Sequence, residues 1–97
     1  MDRRIIKIID AAAPPDAPTD PGCGFVHAAF EGPQAEAIIL KRFAGMARRY
    51  VVDTSRLAAY GIVLRVEANP GKSEVFPHFY GIAGPISSLP WALLTPA

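Results

Sequence analysis

The chain has 97 residues, 51% of them hydrophobic and 20% charged, with a formal net charge of +1. That composition excludes a disordered chain, and the near-neutral balance supplies no global field to gather nucleic acid or an anionic membrane. The single cysteine, Cys23, excludes an internal disulfide and fits a reducing, cytoplasmic setting; the length fits one domain over residues 1–97.

Arg3 and Arg4 imitate the basic start of a signal peptide, but Lys7, Asp10 and Pro14 interrupt the apolar run that would have to follow. No apolar stretch reaches the roughly 18 residues of a membrane span. Ile5, Ile6, Ile8 and Ile9 are β-branched and flank Lys7, which predicts a strand from about Arg4 to Ile9. Prolines and aspartates then dominate, and residues from about 10 to 22 read as a loop.

GFVHAAF (24–30) reads as a second strand, with Phe25, His27 and Ala29 on one face. Gly32-Pro33 opens a helix, because proline suits a first helical position. Ala35, Ile38, Ile39, Phe43, Met46 and Tyr50 keep the three-to-four spacing of one buried helix side, with Arg42, Arg48 and Arg49 as its solvated basic end. A strand YVVDT (50–54) follows, then a turn capped by Ser55 and closed by Gly61.

IVLRVEA (62–68) alternates, with Arg65 and Glu67 opposite Ile62, Leu64 and Val66. After the turn NPGKS, EVFPHFYGIA reads as a strand carrying Phe76, His78 and Tyr80 on one face. Pro77 donates no ladder hydrogen bond and so places this strand at an edge or a bulge. WALLT closes the chain as a short strand. The order β–β–α–β–β–β–β predicts an α+β fold with a mostly antiparallel sheet and one main helix.

Three strands thus carry polar groups where apolar ones would pack more simply: His27, Arg65 with Glu67, and His78 with Tyr80. Each has a plain structural reading. A histidine in a strand is commonly a hydrogen-bonded, half-exposed residue. Charges at period two are commonly the wet face of a half-buried strand. A tyrosine packs its ring and wets its hydroxyl. Phe25, Phe43, Phe76 and Trp91 read as core. Cys23, His27 and His78 are too few and too loosely spaced for structural zinc, so no metal is expected. Cys23 has no helix N-terminus to activate it, and the common hydrolase, P-loop and dinucleotide-binding glycine motifs are missing.

Taken in order, IIKII, GFVHAAF, Gln34, LRVEA and FPHFYG resemble the bacterial family called Domain of Unknown Function 952, over about residues 4 to 94. The chain departs from that pattern at Ile6, where the family has tyrosine, and at Ala29, where it has serine. Its glutamine comes one residue late, and the segment before GFVH is short and proline-rich. The resemblance implies an ADP-ribosyltransferase-like fold, a split antiparallel sheet with a cleft for NAD or an ADP-ribose derivative. It implies a possible nucleotide ligand, no obligatory cofactor, and either ADP-ribosyl transfer, glycohydrolase or 2′-phosphotransferase-like chemistry or a non-catalytic binding module on the same fold. Carried onto this chain, Glu67 would stabilise a developing sugar cation and His27 would bind a ribose hydroxyl. Arg65 would pair with pyrophosphate, and His78, Tyr80 and Gln34 would contact the ligand.

Overall fold

The computed structural model describes residues 3–14 and 17–97. Pro15 and Asp16 of the proline-rich loop lie outside the described residues. The isoleucine-rich run forms β1 (Ile5–Asp10). GFVHAAF forms two short strands rather than one, β2 (Val26–His27) and β3 (Ala29–Phe30). Helix α1 (Pro33–Phe43) is followed by β4 (Ala47–Val52), a 3-10 helix (Thr54–Tyr60), β5 (Ile62–Ala68) and β6 (Val75–Gly81). A 3-10 turn (Trp91–Leu93) leads into β7 (Leu94–Pro96).

The fold is α+β and every strand pairing is antiparallel, but the strands make two sheets, not the one split sheet expected. The first has the order β3-β1-β4-β7, the second β2-β6-β5. They are joined because residues 26–30 serve both. Val26 and His27 pair with Phe79 and His78, and Ala29 and Phe30 pair with Ile6 and Ile5. Side-chain alternation survives the change of sheet. Val26 and Ala28 enter one core, and Ala29 enters the other.

The larger core lies between the sheets, where Ile5 and Val52 meet Val26, Ile62 and Phe79, with Leu57, Leu89 and Leu93 closing it. The smaller core packs α1 on the first sheet through Ala35 and Ile39 against Ile6, Ile8 and Ala29. Trp91 is not core; it is 46% exposed and meets Tyr50 edge-on.

The helix ends seven residues before Tyr50, although the apolar spacing runs on. Ala44 (φ 50°) and Gly45 (φ 80°) turn left-handed, and the Gly45 N–H donates to the Ile39 carbonyl at 3.0 Å. Glycine takes that conformation without a Cβ penalty. Met46 is consequently exposed, and Arg48 and Arg49 lie on β4 rather than on a helix face. Asp53, not Ser55, caps the 3-10 helix, accepting from the Ser55 N–H at 3.1 Å, and Gly61 (φ 68°) closes it.

β6 is the central strand of its sheet, not an edge. Pro77 is tolerated there because of where its missing donor points. The Ala28 N–H donates to the Pro77 carbonyl at 3.1 Å, so the backbone groups of residue 77 face the β2 side. There the return bond would run to Ala28, the residue at which the chain leaves this sheet for the other. The proline therefore costs no regular ladder bond.

Candidate active site

The outer face of the second sheet gathers the polar residues that the sequence distributes over three strands. His27, His78 and Arg65 are cross-strand partners in register, so they share one face. Tyr80 and Glu67, two places from His78 and Arg65 along their strands, lie on it too. Phe25 joins the two histidines. Its ring centroid is 4.7 Å from His27, 4.7 Å from His78 and 4.9 Å from Tyr80, nearly parallel to the last. The His27 and His78 rings meet edge to face at 5.2 Å. Phe25 is therefore part of this cluster, not of either core, and half-buried Phe76 lines the cleft beside it.

That cleft has a volume of about 360 Å³. Its walls include Lys7, Asp20, His27, Arg42, Phe76 and His78. Each histidine has its Nδ1 against a carboxylate. His27 Nδ1 is 2.9 Å from Asp20 Oδ1, and His78 Nδ1 is 3.1 Å from Glu67 Oε1. A carboxylate can only accept, so each ring presents an N–H on that side, which leaves the Nε2 of the neutral ring as an acceptor. His78 is 2% exposed, and its Nε2 is buried with no hydrogen-bond partner among the described residues. Buried polar atoms are nearly always satisfied, so this nitrogen stands out on a residue that lines the cleft.

Glu67 accepts from the Tyr80 hydroxyl on the same oxygen. These bonds, Tyr80's first and His78's second, hold the Glu67 carboxyl below 4.5, and the same bond pushes the Tyr80 phenol above 10.0. Glu67 does not itself line the cleft. Arg65 lays its guanidinium over the Tyr80 ring, 4.8 Å from the centroid. Gln34 is engaged elsewhere. Its carbonyl accepts from the Phe30 N–H at 2.9 Å, and its amide nitrogen donates to the Val75 carbonyl at 2.9 Å and to Glu74 at 3.0 Å, tying α1 to both sheets.

Lys7 and Asp20 escape the sequence reading, as do Phe25 and Phe76, expected in the core, and Arg42, expected at a solvated helix end. Lys7 Nζ donates to Asp20 Oδ2 at 2.8 Å and to the His27 carbonyl at 2.6 Å, with both side chains under a tenth exposed. Asp20 also accepts from the Thr19 hydroxyl at 2.7 Å and the His27 N–H at 3.3 Å. Burial by itself would push the Asp20 carboxyl up, but the Lys7 charge and these hydrogen bonds outweigh it and hold the group below 3.8. Burial pulls Lys7 below 10.5, with Asp20 pulling back. Lys7 carries a signal in the sequence, a charge within a run of isoleucines. Asp20 carries none, being one of several aspartates in an aperiodic loop. Among the described residues, no group of three or more His, Cys, Asp or Glu side chains could hold a metal ion, and no helix is long and apolar enough to cross a membrane.

No curated protein and no solved structure matches the chain. The order of segments around the two histidines does have a counterpart among protein families. The model of the family described as Protein of unknown function (DUF952) matches residues 8–91, and the chain belongs to that family.

Proposed function

We propose that the cleft takes NAD or an ADP-ribose derivative on an ADP-ribosyltransferase-like fold, with His27 and His78 holding a sugar of the ligand. The observation that carries this reading is that His78, whose buried Nε2 has no hydrogen-bond partner among the described residues, lines the same cleft as His27. An imidazole lone pair in that position asks for a donor, and a ribose ring offers hydroxyls at adjacent carbons to two acceptors side by side. Phe76 supplies an apolar surface for a flat ring. Arg42 on the cleft wall suits a phosphate, as Arg65 does on the neighbouring face. The cleft sits near the lower end of the ~300–1,000 Å³ range for ligand pockets. A dinucleotide would keep one nucleotide inside and lay the other over the Tyr80–Arg65 face.

One observation favours a binding module over an enzyme. Cleavage at the anomeric carbon builds positive charge that a free carboxylate would stabilise. Glu67 Oε1 already serves Tyr80 and His78, and Asp20 already serves Lys7. Glu67 in this reading orients His78 instead of facing the sugar. A thermal-shift titration with NAD, ADP-ribose and nucleotide 2′-phosphates tests the reading. A ligand at 100 times its dissociation constant adds about 2.7 kcal/mol, and His27→Ala should abolish the shift. No shift with any of the three at millimolar concentration would sink the proposal. If NAD binds, nicotinamide release measured for the parent chain and for Glu67→Gln separates an enzyme from a binder.

A further inference from the structure

The four outer strands of the two sheets are not alike. β2 and β3 have two residues each, and β7 has three and ends in Pro96. β5 has seven, with no proline, and pairs with β6 on one side only. Among the described residues, nothing pairs with its other side.

Which backbone groups face outward on β5 follows from Pro77. Its groups point toward β2, so the Val66–Pro77 pair is of the kind that exchanges no hydrogen bonds. Alternation then turns the N–H and C=O groups of Leu64, Val66 and Ala68 away from β6. The bond from the Ile82 N–H to the Gly61 carbonyl, at 2.8 Å, fixes the same phase from the other end of the strand. A row of open donors and acceptors on a long, regular edge is a template for another strand.

We infer that β5 pairs with β5 of a second copy of this chain, antiparallel and centred on Val66. The two-fold at Val66 sets Leu64 opposite Ala68 and makes about six inter-chain backbone hydrogen bonds. Arg65 of each copy then faces Glu67 of the other, twice, as pairs without hydrogen bonds, the arrangement in which side chains come closest. Centring on Arg65 would put two like charges face to face, and centring on Leu64 would leave Glu67 without a counter-charge. Arg65 makes no hydrogen bond or ion pair within its own chain among the described residues, so the pairing requires it only to leave the Tyr80 ring, over which its guanidinium lies at 4.8 Å. The pairing also covers Val66, which is 50% exposed in the single chain. It places a partner arginine beside the carboxylate that orients His78, and it does not require the cleft to take a nucleotide.

Sedimentation equilibrium of the full chain tests it. The average mass should rise from one chain toward two between micromolar and millimolar concentration. Hydrogen exchange at the Val66 amide should slow over the same range. Val66→Pro removes an outward N–H that the β5–β6 ladder does not use and should hold the mass at one chain, with folding checked by circular dichroism. Arg65→Glu alone and Glu67→Arg alone should each be monomeric, because each sets like charges opposite each other. An equimolar mixture of the two should dimerise, because every facing pair is again opposite in sign. A mass of one chain at every concentration would overturn the proposal. So would a dimer that Val66→Pro and Arg65→Glu leave intact, or a mixture that stays monomeric.

Discussion

Glu67 Oε1 accepts two hydrogen bonds at once, from the Tyr80 hydroxyl and from His78 Nδ1, and both stabilise the ionised carboxylate. The lowered Glu67 value means that its contribution to folding is present above 4.5 and is lost as pH falls through the folded value. The raised Tyr80 value has the opposite sign: its contribution is present below 10.0 and is lost as pH rises through the folded value. A phenolate titration followed by ultraviolet absorbance should show one tyrosine ionising late, and Glu67→Gln should bring it back toward 10.0. A curve that Glu67→Gln leaves unchanged would show that the bond does not form in solution. Lys7 and Asp20 make a different kind of pair, buried and hydrogen-bonded throughout. Lys7→Met would leave Asp20 buried without its lysine counter-charge, though still bonded to Thr19 and His27, and should cost about 3–5 kcal/mol in chemical denaturation. Replacing both, with Asp20→Asn, should cost less than the two single losses added, because the second change removes the stranded charge.

At the scale of elements, apolar spacing places α1 but not its end. Met46 and Tyr50 continue the helical phase, while the left-handed turn at Ala44 and Gly45 stops the helix; Gly45 was the available signal, overridden by a pattern that happened to persist. The true helix gives a paired test. Ile39 is 2% exposed and Leu40 73%. Ile39→Ala should lower stability by about 2–5 kcal/mol, and Leu40→Ala by no more than about 0.5 kcal/mol. Equal losses at the two positions would put the helix in a different rotation. Alternation did identify which residues share a face within each strand, since a period of two is local. It could not show that β2, β5 and β6 are neighbours, nor that His27, His78 and Arg65 fall in register, because register is set by distant contacts. The placement of Pro77 failed for the same reason. An edge was inferred from the missing donor, but whether that donor is missed depends on where Ala28 lies.

At the scale of the whole molecule, two sheets share one inter-sheet core, and Phe79 sits in it with no exposure. Its opposite neighbours along β6, His78 and Tyr80, belong to the cleft face. Phe79→Ala should therefore cost about 3–5 kcal/mol in denaturation and weaken any cleft ligand as well, an effect to be read by comparing thermal shifts. Stability lost with binding fully kept would mean that the cleft does not depend on that strand. The cleft as a whole was only half legible. Strand faces pointed to His27 and His78, but the wall built from Lys7 and Asp20 joins an isoleucine strand to an aperiodic loop 13 residues away, and no local pattern encodes that contact.

The passage of residues 26–30 from one sheet to the other imposes a strict count. Because inward and outward positions keep alternating through Ala28, one residue inserted or deleted between His27 and Ala29 would act like a frameshift in three dimensions. Either the imidazole would swing under the sheet, or a side chain other than Ala29 would meet the helix. The described residues of the proline-rich loop just upstream follow no such alternation, and they are tied down at its two ends, by Ala11 and Ala13 to Met46 and Arg48 and by Thr19 and Asp20 to Ser87, Ser88 and Lys7. Length changes should thus be tolerated best between the anchors at Ala13 and Thr19 and not at all from Val26 on, which gives the chain one adjustable margin and one fixed ruler.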